Sequence, residues 1–159
     1  MTTDDDIKGF SYPRLAEKLQ RIEAPREDLI ELFGRMIFNA MVGNDDDHPR
    51  NHAVIFDTAE NGWRLAPAFD VVPNPEETPA YLVMQVSTAR REIDREALLA
   101  DYKRFGFASR EEAEHHMDAL LKNRQESFAR IRGIFSDSLG DLMSARIQEM
   151  FDRLGVAAP

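Results

Sequence analysis

Apolar residues recur at helical spacing along most of the chain, which predicts a mainly α-helical domain. The strongest pattern begins at Pro25 and ends at Gly43, because proline suits the first turn of a helix and glycine its end. Its apolar positions are Leu29, Leu32, Phe33, Met36, Ile37, Ala40 and Met41. They cover most of the circumference, so we expect this helix to lie at the centre of the core.

Four other segments show weaker helical signals. We predict a short helix over residues 12–21 and another from its cap, Asp94, through Phe105. Ser109 and Glu112 form a capping box that starts a third helix. Two apolar stripes follow and are interpreted as packing faces: Met117, Leu120, Leu121, Phe128 and Ile131, then Leu139, Leu142, Met143, Ile147, Met150, Phe151 and Leu154.

Between the central helix and the later helices, the pattern changes to that of loops and short strands. Residues 43–51 are polar and predict a loop. Residues 52–56 and 63–65 predict two strands, joined by a turn at Asn61 and Gly62. Residues 81–86 predict one more short strand. The predicted fold is therefore mainly α, with a small β-hairpin directly after a polar loop.

The composition narrows the class of protein. The 159 residues suffice for a single domain over 1–159, whose polar start, residues 1–8, we expect to be flexible. The chain has no cysteine, signal peptide or apolar run long enough to cross a bilayer, which predicts a cytoplasmic protein without membrane contact. Its net charge of −9 predicts no direct binding to nucleic acid.

The polar loop holds the residue types that phosphoryl transfer requires. Asp46 and Asn51 have the Asp-x-x-x-x-Asn spacing of the protein-kinase catalytic loop, where the aspartate handles the proton of the attacking hydroxyl. The amide oxygen of Asn51 is a hard ligand for Mg²⁺. Asp70 follows the predicted hairpin, as the second metal-binding aspartate of a kinase does.

These residues resemble the C-terminal domain of HipA-family serine/threonine kinases, the toxins of bacterial toxin–antitoxin pairs. The loop Asp46-Asp47-His48-Pro49-Arg50-Asn51 matches the family's Asp-x-His-x-x-Asn. The later segment ending in Phe69-Asp70 matches its Leu-x-Pro-x-Tyr-Asp, with phenylalanine for tyrosine. The resemblance implies a kinase C-lobe-like fold, Asp46 as catalytic residue, Asn51 and Asp70 as ligands of Mg²⁺ and ATP, and His48 as a loop-orienting residue.

The family's N-terminal nucleotide-binding lobe has no counterpart in this sequence. There is no G-x-G-x-x-G or P-loop, and no lysine lies in a strand with the expected pattern. We therefore expect ATP binding and activity to be weak or absent in the isolated chain. The resemblance implies an antitoxin or a separate N-terminal lobe as partner, and a protein substrate such as glutamyl-tRNA synthetase.

Two other functions stay open at this point. The domain could be a non-catalytic binding module of a toxin–antitoxin or transcriptional-regulator complex. It could also be a metal-dependent phosphohydrolase, which would require more ligands near the acidic loop. The neighbouring His115 and His116 resemble a metal pair, but adjacent residues of a helix point in different directions, so we interpret them as a polar edge.

Overall fold

The central helix organises the protein, as its apolar circumference predicts. The computed structural model describes residues 9–90 and 92–155, so the segment 1–8, which we expect to be flexible, lies outside the described residues. Helix α1 spans Tyr12–Arg21 and helix α2 spans Arg26–Val42. Helix α2 packs against α1 and against two later helices, and its side chains from Leu32 to Ala40 include the most deeply buried of the core.

The polar loop and the hairpin follow α2 in the predicted order. Residues Pro49–Asn51 form a single 3-10 turn. Strand β1, Val54–Asp57, pairs antiparallel with strand β2, Gly62–Leu65. The turn residue Asn61 has a φ of 51°, which Asn tolerates better than most residues. The mainly helical fold with one small hairpin is confirmed.

The hairpin is attached to α2 by a buried carboxylate. Asp28 is 5% exposed, and its carboxylate accepts hydrogen bonds from Arg64 Nη2 at 2.8 Å and from the Leu65 amide at 2.6 Å. Burial acts to raise the pKa of Asp28. The hydrogen bonds from Arg64 and Leu65 and the charges of Arg64 and Arg35 outweigh burial, so the pKa lies below its usual value.

Replacing Asp28 by alanine is expected to lower the free energy of unfolding by about 2–3 kcal/mol at pH 7, because the Leu65 amide loses its acceptor. A lowered folded-state pKa stabilises the protein above the unfolded pKa of about 3.9, and this contribution is lost as the pH falls through the folded value. Urea titrations from pH 7 to pH 3 should therefore show that the difference in unfolding free energy between the unchanged protein and Asp28→Ala narrows below about pH 4. The matched control is Glu27→Ala, which removes an exposed carboxylate from the same helical turn. A loss of unfolding free energy in Asp28→Ala that stays constant from pH 7 to pH 3 would contradict the role of the Asp28 carboxylate.

The C-terminal half is helical, with one interruption that the sequence did not indicate. Helix α3 is Arg95–Ala100, and the predicted helix through Phe105 continues only as a 3-10 turn, Tyr102–Phe105. The α-helix stops at Asp101, whose carboxylate turns away to accept the Thr88 amide at 2.8 Å. Helices α4, Arg110–Ile131, and α5, Asp137–Arg153, complete the fold.

Two members of the predicted packing stripes are not packed. Ile131 and Leu142 are each 45% exposed. Ile131 ends its helix beyond the last buried position, Leu121, whereas Leu142 points away from the side on which Gly140 and Met143 are buried. The other stripe residues are buried or half-buried. Within the described ranges, no helix combines the length and the apolar character needed to cross a bilayer.

The predicted strand over residues 81–86 is wrong, although its alternation is real. Leu82, Met84 and Val86 are buried, as the alternating pattern requires. Their segment, however, pairs with loops: the Val83 amide donates to the Asp45 carbonyl at 3.1 Å and the Met84 amide to the Asp47 carbonyl at 3.2 Å. The segment therefore supports the polar loop instead of extending a sheet.

Candidate functional site

Asp46, Asn51 and Asp70 line one open cleft of about 380 Å³, so the structure brings the three predicted site residues together. The carboxylates of Asp46 and Asp70 are exposed, whereas Asn51 is 7% exposed and fixed in the 3-10 turn. The cleft is completed by Asn44, Asp45, Val72, Pro73, Asn74, Pro75 and Glu76.

The polar loop begins at Gly43, which ends α2 with a φ of 70°. Only glycine adopts this conformation without strain. A Cβ at this position would lie 3.0 Å from the Asn74 carbonyl oxygen and 3.3 Å from that of Glu77. Gly43 thus lets the far wall of the cleft approach the end of α2, where the Asn74 amide donates to the Val42 carbonyl at 3.1 Å.

Asp70 has a left-handed backbone, with a φ of 55°. Such a conformation is uncommon outside glycine and concentrates at functional sites, where surrounding contacts hold it. Here the segment is held by Asn44, whose Oδ1 accepts the Val72 amide at 3.4 Å. The geometry therefore places the Asp70 carboxylate in the cleft beside the loop that carries Asp46 and Asn51.

The donor set of the cleft fits a magnesium ion held together with a phosphate ligand. Mg²⁺ is bound in proteins by one or two carboxylates, with substrate phosphates and water completing its shell. Asn51 and Asp70 offer one amide and one carboxylate. In the part of the chain that the structure describes, no three His, Asp or Glu side chains lie close enough to hold a metal alone. A bound nucleotide would thus have to supply the remaining ligands.

Comparisons with known proteins decide the family. The sequence profile of the HipA-like C-terminal domain matches residues 1–130. The chain belongs to the HipA-like C-terminal domain family. The predicted family resemblance is therefore confirmed.

One curated relative and one solved structure agree with this family. A Sinorhizobium fredii protein named "Putative kinase Y4mE" is 30% identical over 153 residues, 91% of this chain and 34% of the relative. HipA from Shewanella oneidensis MR-1, solved in complex with HipB and operator DNA, superposes with a TM-score of 0.71 at 17% identity. That match covers 96% of this chain and 38% of the Shewanella chain. The HipA-like domain thus spans about a third of the length of each.

A buried carboxylate of this HipA-like domain escaped sequence reasoning. Asp47 is 2% exposed, whereas its neighbours Asp45 and Asp46 face solvent. Its Oδ2 lies 3.0 Å from His52 Nε2 and accepts a hydrogen bond from the Tyr12 hydroxyl. Three consecutive aspartates give no signal for the one that points inward, since that depends on partners from other elements.

Tyr12 is the innermost member of this arrangement. It is fully buried, and its ring meets the His52 ring edge-on with centroids 5.7 Å apart. Burial, and then the nearby Asp47 carboxylate, raise the pKa of Tyr12 well above its usual value. The hydroxyl therefore stays protonated and donates a hydrogen bond to Asp47.

His48 lies half-buried at the start of the 3-10 turn, where its carbonyl accepts the Asn51 amide at 2.9 Å. Its ring Nδ1 is buried and has no hydrogen-bond partner within the described residues. The backbone of His48 thus shapes the turn. The predicted role of its side chain in orienting the loop stays a prediction.

His115 and His116 point in different directions, as predicted for neighbours on a helix, but the interpretation of both as a polar edge is wrong for His116. His115 is exposed, whereas the His116 ring packs against Phe107 at a centroid distance of 5.4 Å. Burial, together with the nearby positive charge of Arg26, lowers the pKa of His116. This contact gives His116 a packing role.

Proposed function

We propose that this HipA-like domain is the catalytic lobe of a protein serine/threonine kinase, which transfers the γ-phosphate of ATP when a nucleotide-binding lobe completes it. The observation that carries the proposal is that Asp46, Asn51 and Asp70 line one cleft. Their chain order, with a hairpin between Asn51 and Asp70, is the order of the corresponding groups in protein kinases. The kinase name of the Sinorhizobium relative supports the same reading.

Each residue has a distinct role in this proposal. Asp46, exposed on the loop, orients the acceptor hydroxyl and takes its proton. The Asn51 amide oxygen and the Asp70 carboxylate hold Mg²⁺, which neutralises charge on the transferring phosphate when it is bound. Positioning and electrostatics supply most of the catalysis in this reaction, so the rigidity of the loop is part of the mechanism.

The acidity of the cleft agrees with a requirement for a cation. Asp45, Asp46, Asp70 and Glu76 line it, and no lysine or arginine among the described residues does so. Four carboxylates would repel the phosphates of ATP unless a metal ion lay between them. ATP without Mg²⁺ is therefore expected to bind far more weakly than the Mg²⁺ complex.

The proposal is tested by phosphate transfer from radiolabelled ATP to protein serine or threonine. The assay uses the domain together with the rest of a full-length relative, supplied on the same chain or separately. Mg²⁺-dependent labelling that requires this domain supports the proposal. ATP binding with no transfer to any protein, with hydrolysis to free phosphate instead, would favour the metal-dependent phosphohydrolase.

A non-catalytic binding module is a second candidate, and the hairpin favours it. Val54, Phe56 and Trp63 lie on one face of the hairpin and are each between 41% and 47% exposed, and the Phe56 and Trp63 ring centroids are 5.3 Å apart. Ile55, 49% exposed, lies on the opposite face. Contiguous exposed apolar side chains are typical of contact surfaces. An antitoxin or a separate N-terminal lobe would suit such a surface. A stable complex with such a partner that shows no phosphate transfer would support this candidate.

The comparisons leave the prediction about nucleic acid untested. The Shewanella structure contains operator DNA as well as HipB. That this acidic domain does not bind DNA directly stays a prediction from its net charge.

A further inference from the structure

Four buried polar side chains connect the catalytic loop to the segment that carries Asp70. The Tyr12 hydroxyl donates to Asp47 Oδ2 and accepts from Asn39 Nδ2 at 2.9 Å. The Asn39 Oδ1 accepts from Asn44 Nδ2 at 3.2 Å, and Asn44 Oδ1 accepts the Val72 amide at 3.4 Å. We call Asp47, Tyr12, Asn39 and Asn44 the polar chain.

The polar chain is buried throughout. Its members are between 0% and 4% exposed. Hydrogen bonds in such surroundings have no competing water and hold their groups in one arrangement, whereas an unpaired group there is costly. The polar chain is therefore suited to fixing the backbone segments at its two ends.

Both ends of the polar chain lie next to predicted site residues. Asp47 directly follows Asp46, and Val72 is two residues beyond Asp70. Asp47 and Asn44 both lie in the polar loop, and Tyr12 of α1 and Asn39 of α2 join them through the packed core. The core therefore holds the loop at two points. Asn44, which lines the cleft and accepts the Val72 amide, is thus held from behind by Asn39 and Tyr12, which lie outside the cleft.

We propose that Tyr12 and Asn39 are positioning residues, which set the catalytic loop and the Asp70 segment at their working separation through the polar chain. This inference rests on the proposed function of the cleft. It assigns a role in that function to two buried residues of α1 and α2. Neither residue lines the cleft, so neither touches the reacting groups.

Tyr12→Phe tests the proposal, because it removes one hydroxyl and keeps the buried ring. Amide hydrogen exchange of the purified chain is measured under native conditions, beside its free energy of unfolding in urea. We expect exchange at residues 44–51 and at Val72 to rise on the order of tenfold more than exchange in the middle of α2. Asn39→Leu keeps a similar volume and should give the same pattern. Tyr102→Phe, at a half-buried tyrosine outside the polar chain, is the matched control and should leave both segments unchanged.

The outcomes separate this inference from the proposed function. Exchange that rises uniformly, in proportion to lost stability, or that does not change would overturn the positioning role. A local rise, together with no phosphate transfer by the completed kinase, would support the polar chain while counting against the proposed function of the cleft. In a completed kinase, Tyr12→Phe should lower kcat more than it raises the KM for ATP. Equal effects on kcat in Tyr12→Phe and Tyr102→Phe would contradict the positioning role.

Discussion

Replacing Asp46 by asparagine is expected to lower kcat for phosphate transfer by about 10²- to 10⁴-fold in the completed kinase, the range for loss of a general base. Asparagine has the same shape but cannot take the proton of the acceptor hydroxyl at neutral pH. Asp46 is exposed at the cleft, free to meet a substrate. Since the predicted metal ligands remain in place, the KM for ATP should change little.

Asp45→Asn is the matched control for this prediction. Asp45 is also exposed and lines the same cleft one residue earlier, so the variant removes an equal charge from the same loop. Steady-state kinetics with radiolabelled ATP distinguish the two carboxylates. Equal losses from both variants would mean that the loop acts only by its total charge, and that Asp46 is not the catalytic residue.

The second large effect is expected from Gly43→Ala, which should lower the free energy of unfolding by about 3 kcal/mol. The φ of 70° alone costs a residue with a Cβ about 1–2 kcal/mol. The new Cβ would also press on the backbone oxygens of Asn74 and Glu77, which cannot move aside as flexible side chains can. Because residues 74–76 line the cleft, binding of Mg²⁺·ATP should weaken as well.

Gly155→Ala separates the two causes. Gly155 has a similar φ of 65°, but no atom lies within 4 Å of the position that a Cβ would take. Urea unfolding should give a loss of about 1 kcal/mol for this variant. If Gly155→Ala and Gly43→Ala lower the free energy of unfolding equally, the close approach of residues 74 and 77 adds nothing to the cost of the Gly43→Ala substitution.

The elements that the sequence predicted well are those determined by local signals. Pro25 and Gly43 bound α2, and Ser109 caps α4 by accepting the Glu112 amide at 3.1 Å, while the Glu112 carboxylate accepts the amide of Ala108 and not that of Ser109. The turn ends at Asn61, and Gly62 begins β2 by pairing with Asp57. In each case the determining residues lie within a few positions of one another, so the pattern contains the necessary information.

The features that sequence reasoning missed depend on contacts between distant segments. Residues 81–86 alternate like a strand, but their partners are loop carbonyls of Asp45 and Asp47. Asp47 is buried only because Tyr12 and His52 are present to donate to it. The family motif located the cleft, since its residues are spaced by one loop and one hairpin. The motif does not reveal how the core holds them.

Asn51 and Asp70 are proposed to hold a divalent ion together with a nucleotide phosphate. The most direct test is to add Mn²⁺·ATP to the ¹⁵N-labelled chain and to follow paramagnetic broadening of its amide signals, with Mg²⁺ as competitor. This method detects weak binding, so it does not require a nucleotide-binding lobe. The account predicts that signals of residues 46–51 and 69–72 broaden first, that Mg²⁺ restores them, and that Asp70→Asn largely abolishes the effect. Broadening centred elsewhere, or unchanged in Asp70→Asn, would contradict it.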